Sequence, residues 1–436
     1  MVQASLRVAE LVVVACVVEL AMTLPMAIYF HRITIFALPV NMLILPLLLV
    51  LMPAALVTLV VLVVWPGAAV VPAAAVALLL HFGVRLVHLF GSLALGDFRI
   101  PGPLPWQSAL FCALLGAAIV LARGEKWQRR AAWGALIGAA LAAVAPRPVQ
   151  HPRDALLVQA IDVGQGDSLL LITPDGKTLL VDGGGFGGGP RWAPHLADEN
   201  VSAGTPASQE FDIGEEVVSA ALWSRGIRRL DVVALSHAHS DHMGGLPSVL
   251  RNFHPAELWV GNNPHTESYD ALLHEAADLH VRLRSLRAGD ALHLGNTDVA
   301  VLAPMPSYQP GSAPANNDSL VLRVAYGQTS VLLEGDAEAP IEEAMLAEPG
   351  LTSTLLKVGH HGSVSSTRPE FLARVAPQWA VISCGLHNRY GHPRPEVLAE
   401  LQEARIRTYS TDIQGATCFR LDGMTASAEV SCASDR

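Results

Sequence analysis

Four side chains able to hold metal fall within six residues in Leu235-Ser-His-Ala-His-Ser-Asp-His-Met-Gly-Gly245: His237, His239, Asp241 and His242. The apolar run Leu230 to Leu235 before them reads as a strand opening into a loop. Alternate side chains of such a segment point the same way, so His237 and His239 converge on one point while Asp241 and His242 turn toward a neighbouring one. That is a cradle for two ions. Imidazole and carboxylate together suit Zn²⁺ or Mn²⁺, which accept mixed nitrogen and oxygen shells and leave a position open for water. Such a site keeps net positive charge for a hydroxide and an anionic phosphate. A water bridging two ions is acidified near neutral pH and attacks phosphorus in line, with both ions stabilising the attacking and leaving oxygens. Phosphodiester hydrolysis is favoured over amide hydrolysis.

The chain around this loop is divided. It has 436 residues, 51% of them apolar, yet from Ile33 to Val84 there is no Asp, Glu, Lys or Arg. A run of that kind holds two or three membrane-spanning helices. Residues 1–150 carry nine basic and four acidic residues, and residues 151–436 carry 20 and 35, so +5 is followed by −15. Apolar segments at Leu11 to Tyr29 (interrupted by Glu19 and Pro25), Leu43 to Trp65, Ala68 to Leu89, Trp106 to Ala122 and Ala131 to Ala145 predict four to six spans over residues 1–146. The loop Arg123 to Arg130 has four basic residues in eight and is expected in the cytoplasm. If Ala131 to Ala145 crosses, everything after Pro146 lies on the outer, periplasmic side of the inner (plasma) membrane. Met1 starts almost directly on a span, as expected of a fragment of a longer protein.

Residues 147–154 read as a linker, and residues 155–428 as a second domain. Strands are expected at Ala155 to Asp162, Ser168 to Thr173 and Thr178 to Val181, with a turn at Pro174-Asp-Gly176. The flanking words Asp162-Val-Gly-Gln-Gly-Asp167 and Asp182-Gly-Gly-Gly185 place Asp162, Asp167 and Asp182 either behind metal-bound histidines or in plain turns. Phe186 to Phe211 reads as an exposed, mobile loop, and Asp212 to Gly226 as a helix feeding the metal-loop strand. Strand-like runs, among them Glu257 to Val260, Ala291 to Leu294 and Thr417 to Leu421, then alternate with helical spacing, and two sheets covered by helices is the natural result.

Polar groups recur at strand ends, in Ala315-Asn-Asn-Asp-Ser319, Glu334-Gly-Asp336 and Lys357-Val-Gly-His-His-Gly-Ser363, and in the loop Asn388-Arg-Tyr-Gly-His-Pro393. His392 either binds the phosphate, protonates the leaving oxygen, or is a turn histidine. Ser363 and Asn317 either hydrogen-bond the scissile group or steady their own turns. A domain at −15 argues against a broad basic groove, so any grip on DNA is expected to be short and metal-centred, helped by Arg389, Arg394 or Lys357. The cysteines Cys16, Cys112, Cys384, Cys418 and Cys432 show no sulfur-ligand pattern, and a disulfide among the last three stays open.

The order H-x-H-x-D-H, G-D and H-H-G-S resembles the metallo-β-lactamase superfamily. The words D-V-G-Q-G-D-S, S-H-x-H-x-D-H-x-G-G, N-N-D-S-L-V-L, K-V-x-H-H-G-S and N-R-Y-G-H-P resemble, more narrowly, the ComEC competence family of bacterial DNA-uptake channels. In the first half the likeness rests on Pro25 to Arg32 and Asn41 to Pro46, and corresponds to the later part of that family's membrane domain. The resemblance implies an α-helical membrane domain followed by an αββα metallo-β-lactamase-like sandwich holding two divalent ions, Zn or Mn. It assigns His237 and His239 to one ion, Asp241 and His242 to the other, Asp336 to both, and His361 to the second, with His360 as the alternative and a candidate catalytic group. The family's further histidine for the first ion has no recognisable counterpart among His254, His265, His274, His280 and His293; Asn317 or Asp318 falls nearer its place. The implied function is uptake of DNA, with one strand of single- or double-stranded DNA degraded at the membrane. A second copy of the chain or other uptake components are the expected partners. Two alternatives remain, a transport component that binds metal without cutting and a metallo-hydrolase for a substrate other than nucleic acid.

Overall fold

In the computed structural model, residues 2–34, 36–93, 96, 98–185, 211–429 and 432 are described. The expected loop at 186–211 therefore falls, except for Phe211, outside the described residues. The chain divides into two units, Met1–Arg147 and Pro148–Arg436.

The first unit is helical: α1 (Val2–Tyr29), α2 (Ala37–Val64), α3 (Val70–Gly91), α4 (Pro105–Ala122) and α5 (Lys126–Val144), with a two-residue pairing of β1 (Arg32–Ile33) and β2 (Phe98–Arg99). Among the described residues three helices are long and apolar enough to cross a membrane: Ala37–Val64, Pro66–Gly91 and Pro105–Ala122. At about 1.5 Å per residue the shortest of these, with 18 residues, reaches nearly across the roughly 30 Å hydrocarbon layer. In α2 no side chain is buried, and α2 and α3 expose Leu, Val, Met and Phe throughout, a surface suited to lipid. Helix α5 presents the small residues Ala132, Ala135, Ala139 and Ala143 at helical spacing. They pack against α4 at Phe111 and Ala118, since small residues let helix backbones approach closely. Beyond these three, a fourth and a fifth span would have to come from α1 and α5, and the apolar part of α5 begins only after Arg130.

The second unit is built on two sheets. Its strands are β3 (Leu156–Ala160), β4 (Leu169–Ile172), β5 (Thr178–Val181), β6 (Val232–Leu235), β7 (Glu257–Val260), β8 (Arg282–Ser285), β9 (Ala291–Leu294), β10 (Thr297–Ala303), β11 (Val321–Tyr326), β12 (Thr329–Leu333), β13 (Leu355–Lys357), β14 (Trp379–Ile382), β15 (Arg407–Ser410), β16 (Thr417–Leu421) and β17 (Ala426–Glu429). Its helices are α6 (Ala220–Ser224, entered through a π-turn at Gly214–Ser219), α7 (Ser240–Met243), α8 (Leu246–Phe253), α9 (Glu267–Asp278), α10 (Ala339–Met345), α11 (Pro369–Val375), α12 (Pro395–Glu403) and α13 (Thr411–Gln414).

One sheet has eight strands in the order β17-β16-β3-β4-β5-β6-β7-β8, and the other seven in the order β15-β14-β13-β12-β11-β10-β9. Alternation along the strands explains the layering. Leu156, Val158, Ala160, Val232 and Ala234 turn inward and meet Val299, Val324, Val331, Leu333 and Val381 of the other sheet. Leu157, Val233 and Leu235 turn outward under α6, α8 and α9, while Leu332, Leu356 and Ile382 turn under α10, α11 and α12. Strands buried on both faces read as continuous apolar runs, and each fully buried Leu or Val contributes about 1.5–3 kcal/mol. The result is an αββα sandwich. The pairs β5-β6-β7 and β12-β13-β14-β15 are parallel, and their carboxyl ends carry the polar words singled out in the sequence.

Candidate metal centre

The loop that follows β6 is held by backbone on three sides. Asp167 N donates to Asp241 O (3.2 Å), Gly183 N to His242 O (2.7 Å), Gly184 N to Asp167 O (2.7 Å) and Gly245 N to Gly184 O (2.9 Å). Such closeness needs residues without side chains. A Cβ on Gly166 would stand 2.2 Å from Asp241 O, and one on Gly245 would stand 2.2 Å from Gly183 O. The glycines of the three motifs are thus a single interlocked packing unit. The seven-stranded sheet delivers its groups from tight turns: Gly335 (φ +58) packs against Ser236 and Ser319, Asp336 N donates to Ser319 Oγ (3.1 Å), and His360 and His361 both take left-handed φ, 46° and 55°.

These turns bring Asp241, His242, Asp336 and His361 together, one donor atom from each lying within 4.8 Å of all the others. His242 donates from Nδ1 to Asp182 Oδ2 (2.8 Å), which also accepts from Ser236 Oγ (2.7 Å), while Asp182 Oδ1 accepts from Ser236 N (2.7 Å). His361 donates from Nδ1 to Ser383 O (2.8 Å). With those outer nitrogens committed, both Nε2 atoms turn inward, 3.2 Å and 3.4 Å from Asp336 Oδ2, and neither finds a hydrogen-bond partner despite full burial. Buried, unpartnered ring nitrogens beside carboxylates fit a divalent cation, and their outer-face bonds are the kind that fix a ligand's tautomer.

His237 and His239 form a neighbouring pair, His237 Nε2 lying 2.8 Å from His239 Nδ1. The outer nitrogens face Ser236 Oγ (3.1 Å) and Pro314 O (3.1 Å). Donating there leaves two lone pairs facing each other, which also suits a cation. No third His, Cys, Asp or Glu completes a group around this pair among the described residues.

The electrostatics match a site awaiting positive charge. Burial would raise Asp241, yet His242 and His361 beside it hold its carboxyl well below the usual range. Burial likewise opposes ionisation of Asp336, and the same two imidazoles overcome it. Against burial, Asp336 and Asp182 hold the His242 proton well above the ordinary histidine value, and Asp336 and Asp167 do so for His361. His237 is driven well down by burial and then by His242.

A cleft of about 250 Å³ opens onto this centre, lined by Gln165, His239, Ser240, Asp241, Asn316, Asp336, His360, His361, Tyr390 and His392. His360 lies in its wall with Nε2 3.9 Å from Asp336 Oδ2, and its Nδ1 is turned to Ser365 Oγ (3.0 Å). His392 packs edge-on against His360 at 5.6 Å, and burial, with His360, His361 and Arg394, pushes it down to about 4.

Other expected residues lie elsewhere. Asn317 turns away and accepts from Glu338 N (3.0 Å), Asp318 takes Tyr308 Oη and Ala315 N, and the neighbour that reaches the cleft is Asn316. Ser363 steadies its own turn through Ser365, and Asp162 accepts from Gly164 N (3.3 Å). Lys357, expected with Arg389 or Arg394 as local help for gripping DNA, is fully buried: it pairs with Asp167, donates to Gly335 O (3.1 Å) and lies 3.9 Å from Asp336. Its place at the end of a strand buried on both faces explains this, and the K-V-G-H-H word offered a signal for it. Cys418 and Cys432 form a disulfide with Cα atoms 5.3 Å apart, and Cys384 is a buried thiol.

Residues 161–386 match the model of the metallo-beta-lactamase superfamily, and residues 2–125 match that of the Competence protein family. The chain is 34% identical over 266 residues to ComE operon protein 3 of Bacillus subtilis, covering 60% of this chain and 33% of that protein. It is 30% identical over 321 residues to Competence protein ComA of Neisseria gonorrhoeae, covering 73% and 39%. Recombination protein 2 of Haemophilus influenzae is 29% identical over 264 residues, 59% and 28%. The chain thus spans less than two fifths of the length of these relatives. The chain belongs to the metallo-beta-lactamase superfamily, and that domain follows a segment that matches the Competence protein family.

Proposed function

We propose that the second unit is a metal-dependent phosphodiesterase that degrades one strand of DNA during uptake, while the membrane helices contribute to the conduit. The observation carrying this reading is the convergence of Asp241, His242, Asp336 and His361 under an open cleft. Bound divalent ions, Zn²⁺ or Mn²⁺, would supply a Lewis acid for the phosphoryl oxygens and an acidified water. Asp241, His242, Asp336 and His361 hold one ion in this reading, and His237 and His239, a pair without a third acid or imidazole grouped around it among the described residues, hold a second more weakly. Asp182 and the Ser383 carbonyl keep Nε2 of His242 and His361 aimed inward. His392, neutral at working pH, suits hydrogen bonding to a phosphate oxygen better than delivery of a proton. Asn316 in the cleft lining offers a further polar contact. The orientation with this domain outside the inner membrane is supported by Arg123, Lys126, Arg129 and Arg130, which lie between α4 and the apolar part of α5, and by the Cys418–Cys432 disulfide, which suits an oxidising compartment.

The test uses the full chain in detergent, with Mn²⁺ and Zn²⁺ supplied separately and single- and double-stranded DNA as substrates. Metal-dependent cleavage that disappears together with metal uptake in Asp241→Asn is the expected result. Metal uptake without cleavage would favour a non-cutting transport component, a reading the domain's −15 charge motivates. Turnover of other phosphate or thioester compounds alone would point to a different hydrolase.

A further inference from the structure

The loop from Gly385 to Arg394 carries two arginines, two histidines, a tyrosine and no acid, within a domain that is strongly acidic elsewhere. It is rigidly held. Asn388 Nδ2 donates to Gly385 O (2.9 Å), His392 N donates to Asn388 Oδ1 (3.0 Å), and Arg394 N donates to Gly362 O (2.9 Å) beside the His361 turn. On this base Tyr390 stands at the cleft mouth, 41% exposed, with its ring near parallel to His392 (23°, centroids 5.9 Å apart). The Arg389 guanidinium lies 5.0 Å from the Tyr390 ring centroid and donates to Tyr390 Oη (2.9 Å). Planar groups therefore descend from solvent toward the centre, Arg389 and Tyr390 outermost, then His392 and His360, beside buried His361.

Resting on the nuclease reading, we propose that Tyr390 and Arg389 form a stacking ledge for a nucleobase flanking the scissile phosphate, which makes single-stranded or locally unpaired DNA the preferred substrate. Bases in a duplex are already stacked on each other and present no free face. An unpaired strand offers one at every nucleotide, and aromatic and guanidinium planes are the groups that take it without regard to sequence. Arg394, exposed on the same acid-free loop, adds charge for the backbone. An acidic domain can thus recognise DNA through a small stacked contact where a wide basic groove is absent.

The test compares kcat/KM of the full chain on a single-stranded oligonucleotide and on one of equal length with abasic residues around the cleavage site. The wild-type chain should prefer the base-bearing strand about 5- to 150-fold, the ratio that about 1–3 kcal/mol per stacked base gives. Tyr390→Ala should collapse that ratio toward one, and Tyr390→Phe, which keeps the ring, should restore it. A wild-type chain that cuts both strands equally, or a Tyr390→Ala chain that keeps the wild-type ratio, would overturn the ledge while leaving the nuclease standing. A wild-type chain that takes up metal but cuts neither strand would overturn the nuclease reading itself.

Discussion

Asp182→Asn isolates the part played by a residue that touches no substrate. In the native centre Asp182 only accepts: Oδ2 takes His242 Nδ1–H and Ser236 Oγ–H, and Oδ1 takes Ser236 N–H. Asparagine keeps the volume and can still accept from Ser236 N. The amide nitrogen that replaces Oδ2 then presents donors to two groups that are themselves donors. His242 relieves the clash by moving its proton to Nε2, the nitrogen that faces Asp336 at 3.2 Å and that an ion would need. Loss of such a supporting hydrogen bond typically weakens metal binding about 10- to 100-fold, or roughly 1.4–2.7 kcal/mol. Titration of Mn²⁺ or Zn²⁺ against a competing chelator measures it, with the unfolding midpoint of the metal-free chain as the control for folding. A normally folded Asp182→Asn chain with wild-type metal affinity would refute the tautomer argument.

Protonation gives a second expectation. Folding raises His242 and His361, so their protons stabilise the metal-free fold fully below the unfolded value of about 6.5, and that contribution disappears as pH rises through the raised folded values. Unfolding midpoints of the metal-free chain should therefore fall above neutral pH, while metal uptake tightens and releases protons over the same range, readable as buffer-dependent heats of binding. Gly245→Ala would set a methyl 2.2 Å from Gly183 O and 2.9 Å from Gly214 Cα, and should destabilise the second unit by about 3 kcal/mol in denaturant unfolding. Orientation is checked by reporters fused after Pro146, with a periplasmic reporter expected to be active and a cytoplasmic one silent.

Period and punctuation in the sequence are enough to find most of the sandwich. Glu257–Val260, Ala291–Leu294 and Thr417–Leu421 are expected and observed with the same limits, because apolar runs bounded by turn residues have few other uses. Strand β8 escapes that reading. Its four residues Arg282–Ser285 are all exposed at the sheet edge, where alternation carries no burial signal and arginine blunts the free edge. Strands β15 and β17 escape for the same reason, with exposed positions interrupting them. Helix α8 was hidden behind the metal motif, although Pro247 at its start and the buried Leu246, Val249, Leu250 and Phe253 mark it. In the candidate centre, residue type and spacing pick out the histidines and aspartates. Local sequence could not separate Asn316 from Asn317, or a surface Lys357 from a buried one, since each depends on which way a short turn rotates.

Asp241 and His242 descend from the eight-stranded sheet, whereas Asp336 and His361 descend from the seven-stranded one. An ion gripped by all four would be a rivet through both layers, resisting any sliding of one sheet over the other. Occupancy of the centre would then be felt far from it, as slower amide exchange along β6, β12 and β13 together, and chelation would loosen the two halves of the sandwich in one step.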